Sequence, residues 1–144
     1  MIDLLDVNLL IALAWPNHLH HELSLRWFGS RSGTQWATTP ITESGFVRVS
    51  SNHSAIASAV TPAEAMSLLS RMRSVNAHIF LPDDVEGVLG DDLPEPWRVV
   101  SYRSVTDAHL LALARRHGAR LATLDRGVKA LASAAPDDVL VIPT

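Results

Sequence analysis

The sequence predicts a three-layer α/β/α domain around a mostly parallel central sheet. Short apolar runs alternate along the chain with helical patterns. Those runs are apolar on both faces, as strands covered from two sides must be. The 144 residues, 47% apolar and 19% charged, match one such domain spanning residues 1–144.

Ile2 to Asp6 reads as a buried strand, and Val7 to Trp15 as a helix stopped by Pro16. His20 to Gly29 follows as a helix with Leu23 and Trp27 stacked at i, i+4, and Gly33 breaks the chain before a strand over Gln35 to Thr38. Thr39-Pro40 opens another helix, because a threonine can accept from the first free N–H groups and proline lacks the N–H that would go unpaired. Thr61-Pro62-Ala63-Glu64 reads as a capping box before a stripe of Ala65, Leu68, Leu69 and Met72. His78 to Leu81 is a strand ended by Pro82. The acidic stretch with Pro94 and Pro96 is mostly loop, with a short helical turn over Val85 to Leu89. Thr106 is read as the cap of a helix with stripe Leu110, Leu113 and Ala114, stopped by Gly118. Arg120 to Leu124 is a strand, Val128 to Ala132 a short helix and Val139 to Ile142 the last strand.

Cysteine is absent, which excludes disulfides, iron–sulfur clusters, thiolate zinc sites and thiol nucleophiles and suits a reducing compartment. Asp3 and Asp6 and the lack of a basic leader argue against a signal peptide, and no run reaches the roughly 18 apolar residues of a membrane span. The expected location is the cytoplasm, with no membrane partner. The net charge of -3 argues against a protein that simply coats nucleic acid. Yet six acids crowd residues 83–95, and the remainder holds 12 basic against nine acidic residues. The glycines form no phosphate-cradling loop, and no repeat or linker is evident.

Four acids fall at related places on this map. Asp6 ends the first strand, Asp125 follows the fourth, and Glu43 and Asp107 lie in the first turns of helices. In open parallel sheets the ligand crevice lies at the carboxyl ends of the strands, so all four could face one edge. Singly, three have ordinary readings: Asp107 as a first-turn acid favoured by the helix dipole, Asp125 as a turn former, Glu43 as a solvated helix residue. Asp6 differs, because its apolar neighbours imply burial and a buried carboxylate needs a partner or a raised pKa. Four carboxylates in one crevice repel each other, and a hard divalent ion such as Mg²⁺ removes the conflict. Asp6 and Asp107 would then be primary ligands, with Glu43 and Asp125 binding a second ion or orienting water. An ion so held activates water and stabilises charge on a phosphodiester.

The segments LLDVNLLIAL with Asp6, TTPITESGFVRV with Glu43, SVTDAHLLALARRHG with Asp107 and ARLATLDRGV with Asp125 resemble the four acidic motifs of PIN-domain ribonucleases, and among these the VapC toxins of bacterial toxin-antitoxin pairs. The resemblance covers nearly the whole chain in the right order. It implies a PIN-like α/β/α fold and Mg²⁺- or Mn²⁺-dependent endonucleolytic cleavage of RNA. It also implies inhibition by a small cognate VapB-like antitoxin, and a homodimer. The stretch from Asp83 to Arg98 matches no part of that pattern.

Asn8 and Thr106 flank the acids and could orient ligands or water, with turn and cap as their plain roles. Thr123 reads as a strand threonine, and Arg126 as either a phosphate contact or a surface arginine. His18, His20 and His21 read as a solvated helix entrance, because adjacent His20 and His21 diverge on a helix. His109, two residues after Asp107, turns away from it. Trp15, Trp27, Phe28 and Trp36 read mostly as core, with some lining an apolar groove that the resemblance suggests for an antitoxin helix. Two other functions stay open at this level. A haloacid-dehalogenase-like phosphatase would use Asp6 as nucleophile but expects an aspartate where Asn8 stands. A noncatalytic module would use the acids only to bind a basic partner.

Overall fold

The computed structural model describes residues 1–144 except 76 and 94. The apolar runs become five strands, β1 (Ile2–Leu5), β2 (Gln35–Thr38), β3 (His78–Phe80), β4 (Arg120–Thr123) and β5 (Val139–Val141). They form one wholly parallel sheet in the order β3-β2-β1-β4-β5. Leu4 on β1 pairs with Ala37 on β2 and Leu121 on β4, and all three sit on one face, in the core that includes Val139. Leu5, Trp36 and Ala122, each one residue along, sit on the other face, as the period of a strand requires.

Among the described residues five α-helices cover the two faces: α1 (Val7–Ala14), α2 (His21–Ser30), α3 (Pro40–Ser50), α4 (Pro62–Arg73) and α5 (Val105–Arg116). The first four enclose the Leu5 face, with Leu9, Leu10, Phe46 and Leu69 in its core. α5 covers the Leu4 face, and its Leu110, Leu111 and Leu113 are wholly buried. Burial of each is worth about 2 kcal/mol. Consecutive burial needs a cover on the outer side of α5, and the acidic stretch provides it. Val85, Val88 and Val99 pack against the α5 core, while Asp83 Oδ1 pairs with His109 Nε2 and Asp84 Oδ1 with His117 Nε2, both at 2.8 Å. Pro94, read as part of that loop, lies outside the described residues.

Local chemistry places most helix ends. α3 begins with Pro40, and Thr42 Oγ1 accepts the Thr39 N–H at 3.0 Å. Thr61 Oγ1 accepts the Glu64 N–H at 3.2 Å, half of the expected capping box. α5 ends in a Schellman turn, with Ala119 N–H bonded to Ala114 O at 2.8 Å and Gly118 at φ 64. Gly45 lets α3 lie against α1, since a Cβ there would fall 2.6 Å from Val7 Cγ2.

Three expectations are corrected. Thr106 is an exposed residue inside α5 and not its cap; Ser104 holds that position, because a 3-10 turn over Tyr102–Ser104 leads directly into the helix. The turns over Val85–Leu89 and Val128–Ala132 are 3-10 helices, at Gly87–Leu89 and Arg126–Ala132. The strands expected to run to Asp6, Leu81, Leu124 and Ile142 each end one residue earlier, at Leu5, Phe80, Thr123 and Val141. No helix among the described residues is long and apolar enough to cross a membrane.

Candidate active site

The sheet order reverses between β1 and β4, so the chain leaves these adjacent strands toward opposite faces and opens a crevice at their carboxyl ends. Asp6 stands at the exit of β1 as the cap of α1, its Oδ1 accepting the Val7 N–H at 2.7 Å. Its Oδ2 accepts the Thr123 hydroxyl at 2.8 Å and the Asn8 amide at 3.3 Å. Thr123 Oγ1 in turn accepts from Asn8 Nδ2 and from the Asp125 N–H, both at 3.1 Å. Asn8 Oδ1 accepts the Leu124 N–H at 3.1 Å, so one amide ties the exits of both strands together. Asp125 Oδ1 accepts the Gly127 N–H at 2.8 Å and so starts the 3-10 helix that follows β4.

Asp6, Asp107 and Asp125 line one cavity of about 440 Å³, together with Asn8. Burial pushes the Asp6 carboxyl up, more strongly than its bonds from Thr123 and Val7 pull it down, and Asp125 adds to the rise. Asp107 is pushed up to about 6, first by burial and then by the charges of Asp6 and Asp125.

Among the buried acids described, Asp6 is distinguished by what it lacks. Asp3, three residues earlier on β1, is fully buried, but Arg31 Nε and Arg120 Nε hold it at 3.0 and 2.6 Å. Buried Glu95 has Arg98 at 3.4 Å and the Ser133 hydroxyl at 3.0 Å. Among the described residues no Arg, Lys or His lies within ion-pairing distance of Asp6, Asp107 or Asp125. Hard carboxylate oxygens without a cation are the donor set a hard divalent ion takes. No three acids or histidines among the described residues are close enough to hold one ion by themselves. That suits an ion held by one or two carboxylates, with water and substrate phosphate completing its shell.

Glu43 departs from the expected convergence. Its carboxylate accepts the Thr38 hydroxyl at 2.7 Å and pairs with Arg73 Nη1 at 3.1 Å, and it lines two neighbouring clefts, not the cavity of the three aspartates. The reason is tertiary: Arg73 ends α4, which packs on α3, and supplies a cation that no local pattern announced. His78 Nε2, 2.8 Å from Thr38 Oγ1, completes this group.

Thr123 is more than a plain strand threonine, since it is fully buried and bonds three site residues. Its only sequence signal was a position two residues before Asp125. His18 is also corrected: it lines the aspartate cavity, because the turn after α1 brings it back over the site. His109 lies away from the acids, bonded to Asp83. Thr106 is exposed beside Asp107, and Arg126 Nη2 reaches Thr144 O at 3.4 Å. Trp36 is core, while Phe28 and Trp36 share an apolar groove with Leu13, Leu25, Met72 and Val75.

Residues 4–134 match the family model described as PIN domain. The chain is 50% identical over 140 residues to Ribonuclease VapC39 of Mycobacterium tuberculosis, covering 97% of this chain and 100% of that protein. Ribonuclease VapC38 of the same organism is 51% identical over 133 residues, 92% of each chain. Ribonuclease VapC29 is 38% identical over 146 residues, covering 100% of this chain and 98% of the relative.

Proposed function

The chain belongs to the PIN-domain ribonucleases of the VapC type, and we propose that it is a single-domain toxin endoribonuclease in which one or two carboxylates from the group Asp6, Asp107 and Asp125, with water and substrate phosphate, hold Mg²⁺ or Mn²⁺ at the carboxyl edge of the sheet. The observation that carries the site assignment is the missing cation: the buried acids Asp3 and Glu95 have an arginine, while among the described residues buried Asp6 and its cavity neighbours Asp107 and Asp125 have none.

PIN-domain ribonucleases generally depend on a divalent metal. When bound, such an ion polarises the phosphodiester and makes water a nucleophile near neutral pH. The chain's own residues prepare that chemistry. Thr123 and Asn8 fix the orientation of Asp6 through bonds to its Oδ2. Asp107, pushed up to about 6, would bind an ion as the carboxylate, any proton on it passing to solvent, and the ion's positive charge would offset a local field that otherwise repels RNA. Glu43, already neutralised by Arg73, serves as a supporting acid in the adjoining cleft. Exposed Thr106 and Arg126 are assigned to outer contacts with ligand, water or phosphate.

For partners we propose RNA as substrate, a homodimer, and a VapB-like antitoxin laying a helix on the groove of Leu25, Phe28 and Met72. A phosphatase of the haloacid-dehalogenase type is not favoured, since Asn8 spends its amide on Asp6 and Thr123. The test is calorimetry with Mn²⁺ and Mg²⁺ alongside cleavage of single-stranded RNA. Wild-type protein should bind an ion and cut RNA, with both lost in Asp6→Ala. Unchanged binding and cutting in that variant would refute the assignment.

A further inference from the structure

The aspartate cavity has a second wall. Beyond the acids and Asn8 it is lined by Val7 and Ile11 of α1, by apolar Val49, Ala55 and Ile56, and by His18. The ring is held in place. The His20 N–H donates to His18 Nδ1 at 3.0 Å, the His18 N–H to Trp15 O and the His21 N–H to His18 O, both at 3.0 Å. His21 Nδ1, 2.7 Å from Ala12 O, ties the same turn to α1. With Nδ1 accepting a backbone N–H, the proton of the neutral ring belongs on Nε2, and protonating Nδ1 would set two donors against each other. Burial holds His18 below the ordinary histidine range, and the charges of His20 and His21 lower it further. Among the described residues His18 Nε2 has no hydrogen-bond or ion-pair partner, which leaves that N–H for another acceptor.

We propose that His18, Val49, Ala55 and Ile56 form a subsite for one unpaired nucleotide flanking the scissile phosphate, with His18 Nε2–H donating to it. This rests on the ribonuclease reading of the aspartates. A nucleotide unites a flat face, which apolar side chains and a ring cover whatever the base, with phosphate and base-edge acceptors that a fixed N–H selects. The cavity, about 440 Å³, falls within the range of small-ligand sites. A wall built only to shield the ion needs no N–H donor.

The experiment compares full-length wild type, His18→Ala and His18→Gln with Mn²⁺ on a random single-stranded RNA oligonucleotide pool, with the cut ends sequenced and Mn²⁺ binding measured separately. His18→Ala should bind Mn²⁺ like wild type, lose roughly ten- to hundredfold in kcat/KM, mainly through KM, and show a flatter base distribution beside the cut. His18→Gln, which keeps an N–H donor, should recover part of the loss. Wild-type kcat/KM and cut distribution in His18→Ala overturn the subsite alone, as does a loss of Mn²⁺ binding in that variant. Wild-type protein that cuts nothing in the pool overturns the ribonuclease reading together with the subsite.

Discussion

Arg73 Nη1 sits 3.1 Å from Glu43 Oε1, so one of the four acids legible in the sequence already has its cation, while Asp6, Asp107 and Asp125 have none among the described residues. The four are therefore not equivalent. Asp107→Asn should lower RNA cleavage and Mn²⁺ affinity by at least roughly a hundredfold, and Glu43→Gln by roughly tenfold or less. The Arg73–Glu43 pair is partly solvated, so Arg73→Met should change stability by less than about 1 kcal/mol. Equal losses of Mn²⁺ affinity in Asp107→Asn and Glu43→Gln would contradict this ranking.

Thr123→Val preserves shape and removes the hydroxyl that donates to Asp6 and accepts from Asn8 and Asp125. Buried groups left without partners cost about 1 to 3 kcal/mol, which urea denaturation at neutral pH would register. With one fewer donor Asp6 should hold its proton to higher pH, so Mn²⁺ affinity should fall as well. Thr123→Ser should restore both quantities. An unaltered Thr123→Val protein would show that the hydroxyl merely fills space.

The raised carboxyls set a pH dependence of defined sign. Between the ordinary aspartate value of 3.8 and about 6 the folded metal-free protein retains a proton on Asp107 that the unfolded chain has lost. That contribution to stability is complete below 3.8 and is lost as pH rises through about 6. Asp6 acts in the same direction. Metal-free protein should thus lose stability from this source over that interval, and Asp107→Asn should flatten the decline. Ion affinity should run the other way, falling as pH drops below about 6 because protons compete for the same oxygens. Denaturation curves at several pH values, with and without Mn²⁺, check both slopes.

Asp3 differs from Asp6 although both belong to the same buried segment. It is clamped by Arg31 and Arg120, and removing it strands two arginines, one of them almost fully buried. Asp3→Ala should destabilise the protein by about 3 to 5 kcal/mol and leave Mn²⁺ affinity per folded molecule unchanged. Asp6→Asn should show the converse, a loss of ion binding with a much smaller change in stability. Reversed phenotypes would mean that the site and structural aspartates had been exchanged.

The order of residues by itself determined the elements and the edge. Apolar runs of strand length, Pro at helix starts and Gly118 at a helix end each act within a few positions, so strand–helix alternation and the placement of Asp6, Asp107 and Asp125 were legible locally. Tertiary structure decided which charges have partners. Arg73 reaches Glu43 across 30 residues, Thr123 reaches Asp6 across 117, and His18 joins the cavity only because a turn folds back onto α1. Pairing depends on distances of a few ångströms between segments far apart in the chain, and residue identity carries no such distance. The sequence could therefore name four carboxylates, but only the packed molecule separates the one that has its arginine from the three that have no cation among the described residues.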